Sequence, residues 1–363
     1  MNISLRKLAK PLFTNFLILF SFIVLIELIF GYWFDKYNFG PYMREHRMKN
    51  QPTVFNYNGE IYTYNYKRNY YGFRGDDIEP SNIEAIIVGG SAIAERYKPD
   101  EFTITEYLNK NLEKNNYDLK IVNAAIEAQS TVGIIYNFKH WFTKLEDFYP
   151  KLILFYIGLY DTGFPDDVNE ENFFLFSNFG EYGHMISPDK TEVFFDNIKS
   201  RSFFYDSARI FKFKFLPRKN FIKYDGNIDP NLKDNFKYIN YDTALKNYDI
   251  ELLKRKYETK INNYLSRVDI IYENAKKINS NPIFITSVKG DGNTKINFIF
   301  NYSLISHCEK KKYNCINLAK KLEGKFNYWR NESHTHTSIK GSEIIANLIF
   351  EDLVEILKNQ NLI

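Results

Sequence analysis

From Leu12 to Phe34 the chain reads LFTNFLILFSFIVLIELIFGYWF, an almost wholly apolar run. About 20 such residues span a hydrocarbon core, and only a helix satisfies the backbone there. Arg6, Lys7 and Lys10 precede the run, so the positive-inside rule puts the N-terminus in the cytoplasm and residues beyond 35 outside. Tyr32 and Trp33 suit the outer aromatic belt. Glu27 is the awkward member, because a carboxylate inside a span costs about 2.5–3.5 kcal/mol on insertion scales. Three fates are open to it: protonation, pairing with a partner helix, or a functional role as an intramembrane acid. A cleaved signal peptide is the rival reading, but the run is long for one and no small-x-small cleavage site lies beyond it. The expectation is an uncleaved single-pass anchor at 1–34 in the cytoplasmic (inner) membrane, with a periplasmic or extracellular domain.

The rest has ordinary globular chemistry. Hydrophobic residues at 44% and charged residues at 25% exclude disorder and collagen-like repeats. A net charge of +4, from 48 Lys+Arg against 44 Asp+Glu, with no basic block, gives no case for nucleic acid. Two cysteines exclude a disulfide-dense scaffold and a four-thiolate zinc site. Cys308 and Cys315 are able to bridge in an oxidising exterior, closing a loop worth about 2–3 kcal/mol; a buried Cys315 thiol is an even alternative.

Residues 35–80 are rich in Tyr, Asn and Gly without sustained periodicity, and read as a linker plus an N-terminal arm. Beyond them come short β-branched runs at Ala85–Val88, Lys120–Asn123, Lys151–Ile157, Pro282–Thr286 and Asn314–Leu318. Runs of this kind suit buried parallel strands. Helical stretches lie between and after them, notably Thr243–Ile278 and Ser338–Asn359. The alternation predicts one α/β domain over 81–363, a parallel sheet with helices on both faces. The segment of about 162–242 breaks the rhythm. It is too long and too aromatic for a bare loop, and reads as an inserted lid or cap.

In such sheets ligands bind beyond the carboxyl ends of the strands. After the first strand comes Gly89-Gly90-Ser91-Ala92, where Ser91 is either an exposed nucleophile or a helix cap. A phosphate loop is weaker, since no Gly-Lys-Ser/Thr comes next. Near the C-terminus, His334 and His336 precede an amphipathic helix, and an activated Ser needs such a base within reach. As metal ligands the two lack a Cys or His to complete a set. His46, His140, His184 and His307 have no visible motif partner.

Taken in order, these blocks resemble the SGNH (GDSL-type) hydrolase superfamily, in its membrane-anchored bacterial form. GGSAIAE at 89–95 resembles the nucleophile block and IVNAAIEAQST at 121–131 the Asn-x-Gly-x-x-Gly block. YIGLYDT at 156–162 resembles the Gly-x-Asn-Asp block. His336 alone has the Ser/Thr two residues on and the Gly five residues on, as Ser338 and Gly341. YGFRGDD at 71–77 resembles the entry arm of anchored members. The resemblance implies a three-layer sandwich with a mostly parallel, five-stranded, flavodoxin-like sheet. It implies Ser91 as nucleophile, His336 as base, and Ala128, Tyr160 and Asp161 around the oxyanion and substrate, with positioning of loops as the alternative role of Arg74 and Asp161. The usual Asp before the histidine is Ser333 here, so adjacent Glu332 stands in or a Ser–His dyad remains. Glycine is replaced by Ala125 and Ala128, and the Asn amide donor by Tyr160.

The resemblance implies an esterase or O-acyltransferase acting on acylated envelope glycans or another ester substrate, needing no metal or organic cofactor. The alternative is a catalytically degenerate domain serving as a polysaccharide-binding or assembly module. Fold analogy alone does not choose between them.

Overall fold

A computed structural model describes residues 5–37, 50–163, 194–195, 198–199, 201–215, 222–227, 236–330 and 333–360. The chain forms two compact units, Met1–Arg44 with Ile186–Lys219, and Glu45–Met185 with Asn220–Ile363.

In the smaller unit the helix Leu5–Phe30 carries a segment, Pro11–Phe30, long and apolar enough to cross a membrane. Its large side chains face outward, as Leu12, Phe13, Ile18 and Ile29 do. A second helix, Phe203–Phe215, packs against it.

The larger unit is built on strands β1 (Asn50–Tyr57), β2 (Glu60–Lys67), β3 (Ala85–Val88), β4 (Ile121–Asn123) and β5 (Leu152–Ile157). It continues through β6 (Ile222–Asp225), β7 (Asn281–Thr286), β8 (Asn314–Ile316), β9 (Trp329–Arg330) and β10 (Ser333–Thr337). The central sheet has the order β4-β3-β5-β7-β8, parallel throughout. Helices Ile104–Lys114 and Ile339–Asn359 pack together on one face; Thr131–His140, Glu258–Lys277 and Lys295–Lys311 cover the other. Covered on both sides, the strands need continuous apolar runs rather than alternation. Ile86, Ile87, Val88, Leu154, Phe155, Phe284 and Ile285 are fully buried. Each such side chain contributes about 1.5–3 kcal/mol by leaving water. This is the three-layer α/β sandwich expected from the sequence.

Within the stretch expected as a linker plus an N-terminal arm, residues 50–67 are paired strands. β1 and β2 form an antiparallel hairpin, closed by Asn58 and Gly59 at φ 52° and 81°. Two successive positive φ angles make the tight turn that matches strand twist, and Asn-Gly is its usual sequence. β6, from the 162–242 segment, pairs parallel with β1. That segment therefore contributes a helix to one unit and a strand to the other; residues 164–193, 196–197, 200, 216–221 and 228–235 of the expected lid lie outside the described residues. Cys308 and Cys315 are joined by a disulfide between the Lys295–Lys311 helix and β8.

Candidate active site

β3 ends at Val88 and the chain turns sharply through Gly89-Gly90. Gly90 is the N-cap of the short helix Ser91–Ala94, so Ser91 sits in the first turn instead of capping it. A Cβ on Gly90 would come within 2.1 Å of the Tyr160 ring, which explains the glycine by close approach. The Ser91 hydroxyl faces two partners. His336 Nε2 lies 2.9 Å away, and the Tyr160 hydroxyl is in short contact on the other side. Only 9% of Ser91 is exposed.

His336 arrives on β10, held by its surroundings at three points. The Tyr97 ring lies 4.7 Å from the imidazole, centroid to centroid. The next residue, Thr337, donates its hydroxyl to Glu95 at 3.0 Å. Ser338 then caps the last helix by accepting from Gly341 N–H at 3.0 Å, while its own N–H donates to Tyr328 O at 2.9 Å. A Cβ on Gly341 would stand 2.0 Å from that same Tyr328 oxygen. The Ser and Gly spacing after the histidine is thus a packing requirement of the turn that presents it.

Beneath this strand lies a buried cluster with little signature in the sequence. Glu95 and Lys98 pair at 2.6 Å with neither side chain exposed. Ser342 donates to Glu95 at 2.7 Å, and Glu95 accepts from Ile104 N–H at 2.6 Å. Lys98 donates to Thr337 Oγ1 at 3.1 Å and to Ser342 Oγ. Every oxygen and proton that burial would orphan has a partner, which is the condition for an ion pair to persist there. The charged pair at i, i+3 in a mostly apolar block was its only sequence signal.

The arm at 66–77 supplies two buried arginines. Arg74 donates to Asp100 at 2.7 Å, to Lys98 O at 2.8 Å and to Ala94 O. Arg68 donates to Gly72 O at 2.8 Å and to Ala125 O. They fix the carbonyls of the loops after β3 and β4. Arg96 and Glu127, 2.6 Å apart, tie those same two loops together.

Ala128 occupies the glycine position of the second block and adopts φ 57°. A left-handed alanine costs about 1–2 kcal/mol, which is why glycine is the easier residue there. Tyr160 is half-buried, and the burial of its phenol pushes the pKa above the ordinary 10.0 although hydrogen bonds from the Ser91 side chain and backbone N–H oppose the shift. It is a neutral donor at physiological pH.

Asp161 has the contacts of a loop-positioning residue. It is 3% exposed and turned into a loop clamp. It accepts from Thr131 N–H at 3.2 Å, from the Thr131 hydroxyl, and from Arg267 at 3.3 Å. A carboxylate facing Ser91 would oppose a developing oxyanion, so this orientation favours acyl chemistry. Glu332 lies outside the described residues, as does the side chain of His334. Among the described residues no cluster of three or more His, Cys, Asp or Glu is placed to hold a metal.

No family model and no curated protein matches the chain. Solved structures do. An esterase from Pseudoalteromonas sp. is 10% identical, covering 76% of this chain and 99% of its own, with a TM-score of 0.41. An acetylxylan esterase from Geobacillus stearothermophilus is 9% identical over 76% of this chain and 95% of its own, at 0.41. A lipolytic protein of the G-D-S-L family from Veillonella parvula is 12% identical over 74% and 97%, at 0.39. The likeness is one of fold at low identity.

Proposed function

We propose that the protein is a membrane-anchored serine esterase of SGNH type, with O-acyl transfer to a sugar hydroxyl as the variant outcome of the same intermediate. The observation that carries this reading is the 2.9 Å approach of Ser91 Oγ to His336 Nε2 across 245 residues of sequence. His336 takes the Ser91 proton as the oxygen attacks an ester carbonyl, and returns it to the leaving alkoxide. The oxyanion is met by the N–H groups of Ser91 and Ala128 and by the Tyr160 phenol, which gives a hydrogen bond where the family has an amide. The acyl-enzyme then passes its acyl group to water or to an alcohol. His336 is oriented by Glu332 or, in a Ser–His dyad, by a backbone carbonyl.

The near-burial of Ser91 between Gly90 and the Tyr160 ring favours a small acyl group such as acetyl. A helix suited to crossing the membrane and a closed disulfide both support an exported domain, facing envelope polymers; acylated glycans are the ester-bearing class there. The anchor is the Leu12–Phe34 run, with the N-terminus inside.

One observation favours the binding-module alternative. The Tyr160 hydroxyl rests on both Ser91 Oγ and its N–H, where a substrate carbonyl oxygen would enter, so attack requires the ring to retreat. The full chain in detergent, incubated with p-nitrophenyl acetate beside Ser91→Ala, separates the two. Turnover and fluorophosphonate labelling lost in Ser91→Ala are the esterase result. Equal background rates for both proteins leave the binding module.

A further inference from the structure

Glu27 is the one acid in the apolar Leu12–Phe34 run, and it is not solitary. Its Oε1 accepts from the Ser202 hydroxyl at 2.6 Å and from Phe204 N–H at 3.2 Å. Its Oε2 accepts from Phe203 N–H at 2.9 Å and from the Trp33 indole at 3.2 Å. The first N–H groups of the Phe203–Phe215 helix have no partner inside that helix, and a carboxylate at that end is favoured by both hydrogen bonds and dipole. Two further contacts fix the join: Tyr32 N–H donates to Arg201 O at 2.8 Å, and the Phe30 and Phe203 rings lie 5.5 Å apart.

We propose that the Phe203–Phe215 helix, with the basic residues that flank it, is a membrane-surface element: an amphipathic helix lying in the outer headgroup layer and pinned to the spanning helix by Glu27. This rests on the anchor reading above. Depth supports it. Glu27 stands three residues before its helix ends at Phe30, about 4.5 Å of axial rise at 1.5 Å per residue. That is close to the roughly 5–10 Å by which interfacial helices sink their apolar faces. Composition supports it as well. Phe204, Ala208 and Phe211, at i, i+4 and i+7, share one exposed stripe, with Phe211 60% exposed. Phe194 and Phe195, earlier in the same unit, are 60% and 52% exposed. An apolar stripe continuous with a membrane-spanning helix has lipid as its natural cover. Within 201–219 the charged residues are Arg201, Arg209, Lys212, Lys214, Arg218 and Lys219 against Asp206 alone. That balance fits anionic phospholipid headgroups.

The test places a single environment-sensitive fluorophore on the full chain in vesicles of phosphatidylcholine with phosphatidylglycerol. Because the native cysteines are paired, Phe211→Cys and Leu19→Cys each give one labelling site. Lipids brominated near the glycerol or near the chain end report depth. The expected result is strong quenching of the 211 probe by shallow bromines and of the 19 probe by deep bromines. Adding Glu27→Ala should abolish most of the quenching at 211 and leave that at 19 intact. Quenching at 19 without quenching at 211 overturns the surface helix while the anchor stands. A blue-shifted 211 probe that no lipid quenches means a protein, such as a second copy, covers the stripe, and also overturns it. Absence of quenching at 19 removes the anchor and the surface helix together.

Discussion

Glu95 Oε1 and Lys98 Nζ lie 2.6 Å apart with both side chains wholly out of solvent, in the turn that follows the Ser91 hydroxyl. The pair bonds Thr337, the residue after His336, so it reaches the imidazole through a single peptide. Removing one partner of a buried pair leaves an uncompensated charge, at about 3–5 kcal/mol. Glu95→Gln is therefore expected to lower the urea midpoint sharply and to cut kcat more than KM. Glu95→Gln with Lys98→Met should recover most of the stability, measured in the same unfolding series. Equal losses in the single and double variants would argue against a coupled pair.

Tyr160 is the residue whose role decides between catalysis and occlusion. Acting as an oxyanion donor, its replacement by Phe should reduce kcat by about 10²–10³. Tyr160→Asn should keep more of the rate by restoring an amide donor. An increase in rate with Phe would mark the phenol as a plug. Because burial raises the phenol above its ordinary 10.0, no loss of activity from its ionisation is expected as pH rises from about 8 to 10 in kcat–pH profiles.

Ala128 holds φ 57° without being glycine. Ala128→Gly relieves a left-handed cost and gives back part of it as backbone entropy, for a net gain of about 0.5–1 kcal/mol. Thermal unfolding should show a small rise in Tm with kcat unchanged. A fall in Tm would mean that the alanine methyl packs usefully.

The Cys308–Cys315 disulfide closes a short loop on the outermost strand of the sheet. Its reduction should cost about 2–3 kcal/mol of stability. β8 is three strand steps from β3, some ~14 Å at about 4.8 Å per step, so ester hydrolysis by the reduced, still-folded protein should match the oxidised form. Parallel thermal melts and assays with and without dithiothreitol check both halves.

Asp269 sits beside that loop. Burial pushes its carboxyl up, but hydrogen bonds from His307, Lys311 and Tyr313 outweigh it and hold the pKa below the ordinary 3.8. A carboxylate with a lowered folded pKa stabilises the protein above its unfolded pKa, and that share is lost as pH falls through the folded value. Asp269→Asn should thus be clearly destabilised near pH ~6 and approach the parent protein below pH ~3, in urea titrations across that range. A constant difference at all pH values would show that the carboxylate is not what stabilises.

The inner strands of the central sheet were legible because they are buried on both faces, and burial writes itself as a continuous apolar run; β8, at the edge, is only partly buried. Ala85–Val88 and Leu152–Ile157 needed no tertiary information to be found. The β1–β2 hairpin escaped notice although Asn58-Gly59 marks its turn, since its half-exposed strands carry Tyr and Asn in place of an apolar run. Ser91 and His336 were singled out by the order of blocks that resemble the SGNH pattern, since type alone leaves Ser91 open as a helix cap and His334 open beside His336. Arg267 was not, because a guanidinium in the middle of a long helix resembles any solvated charge until Asp161 and Thr131 are brought beside it.

By itself the sequence determined the apolar helix, the alternation of strand and helix, and the residue types able to do acyl chemistry. These depend on local composition and period, which a chain carries whatever its neighbours are. The tertiary structure alone decided that Asp161 clamps Thr131, that Tyr160 rests on Ser91, and that Glu27 caps a helix some 175 residues away. Hydrogen-bond partners and their directions arise only when distant segments pack, so spacing along the chain does not contain them.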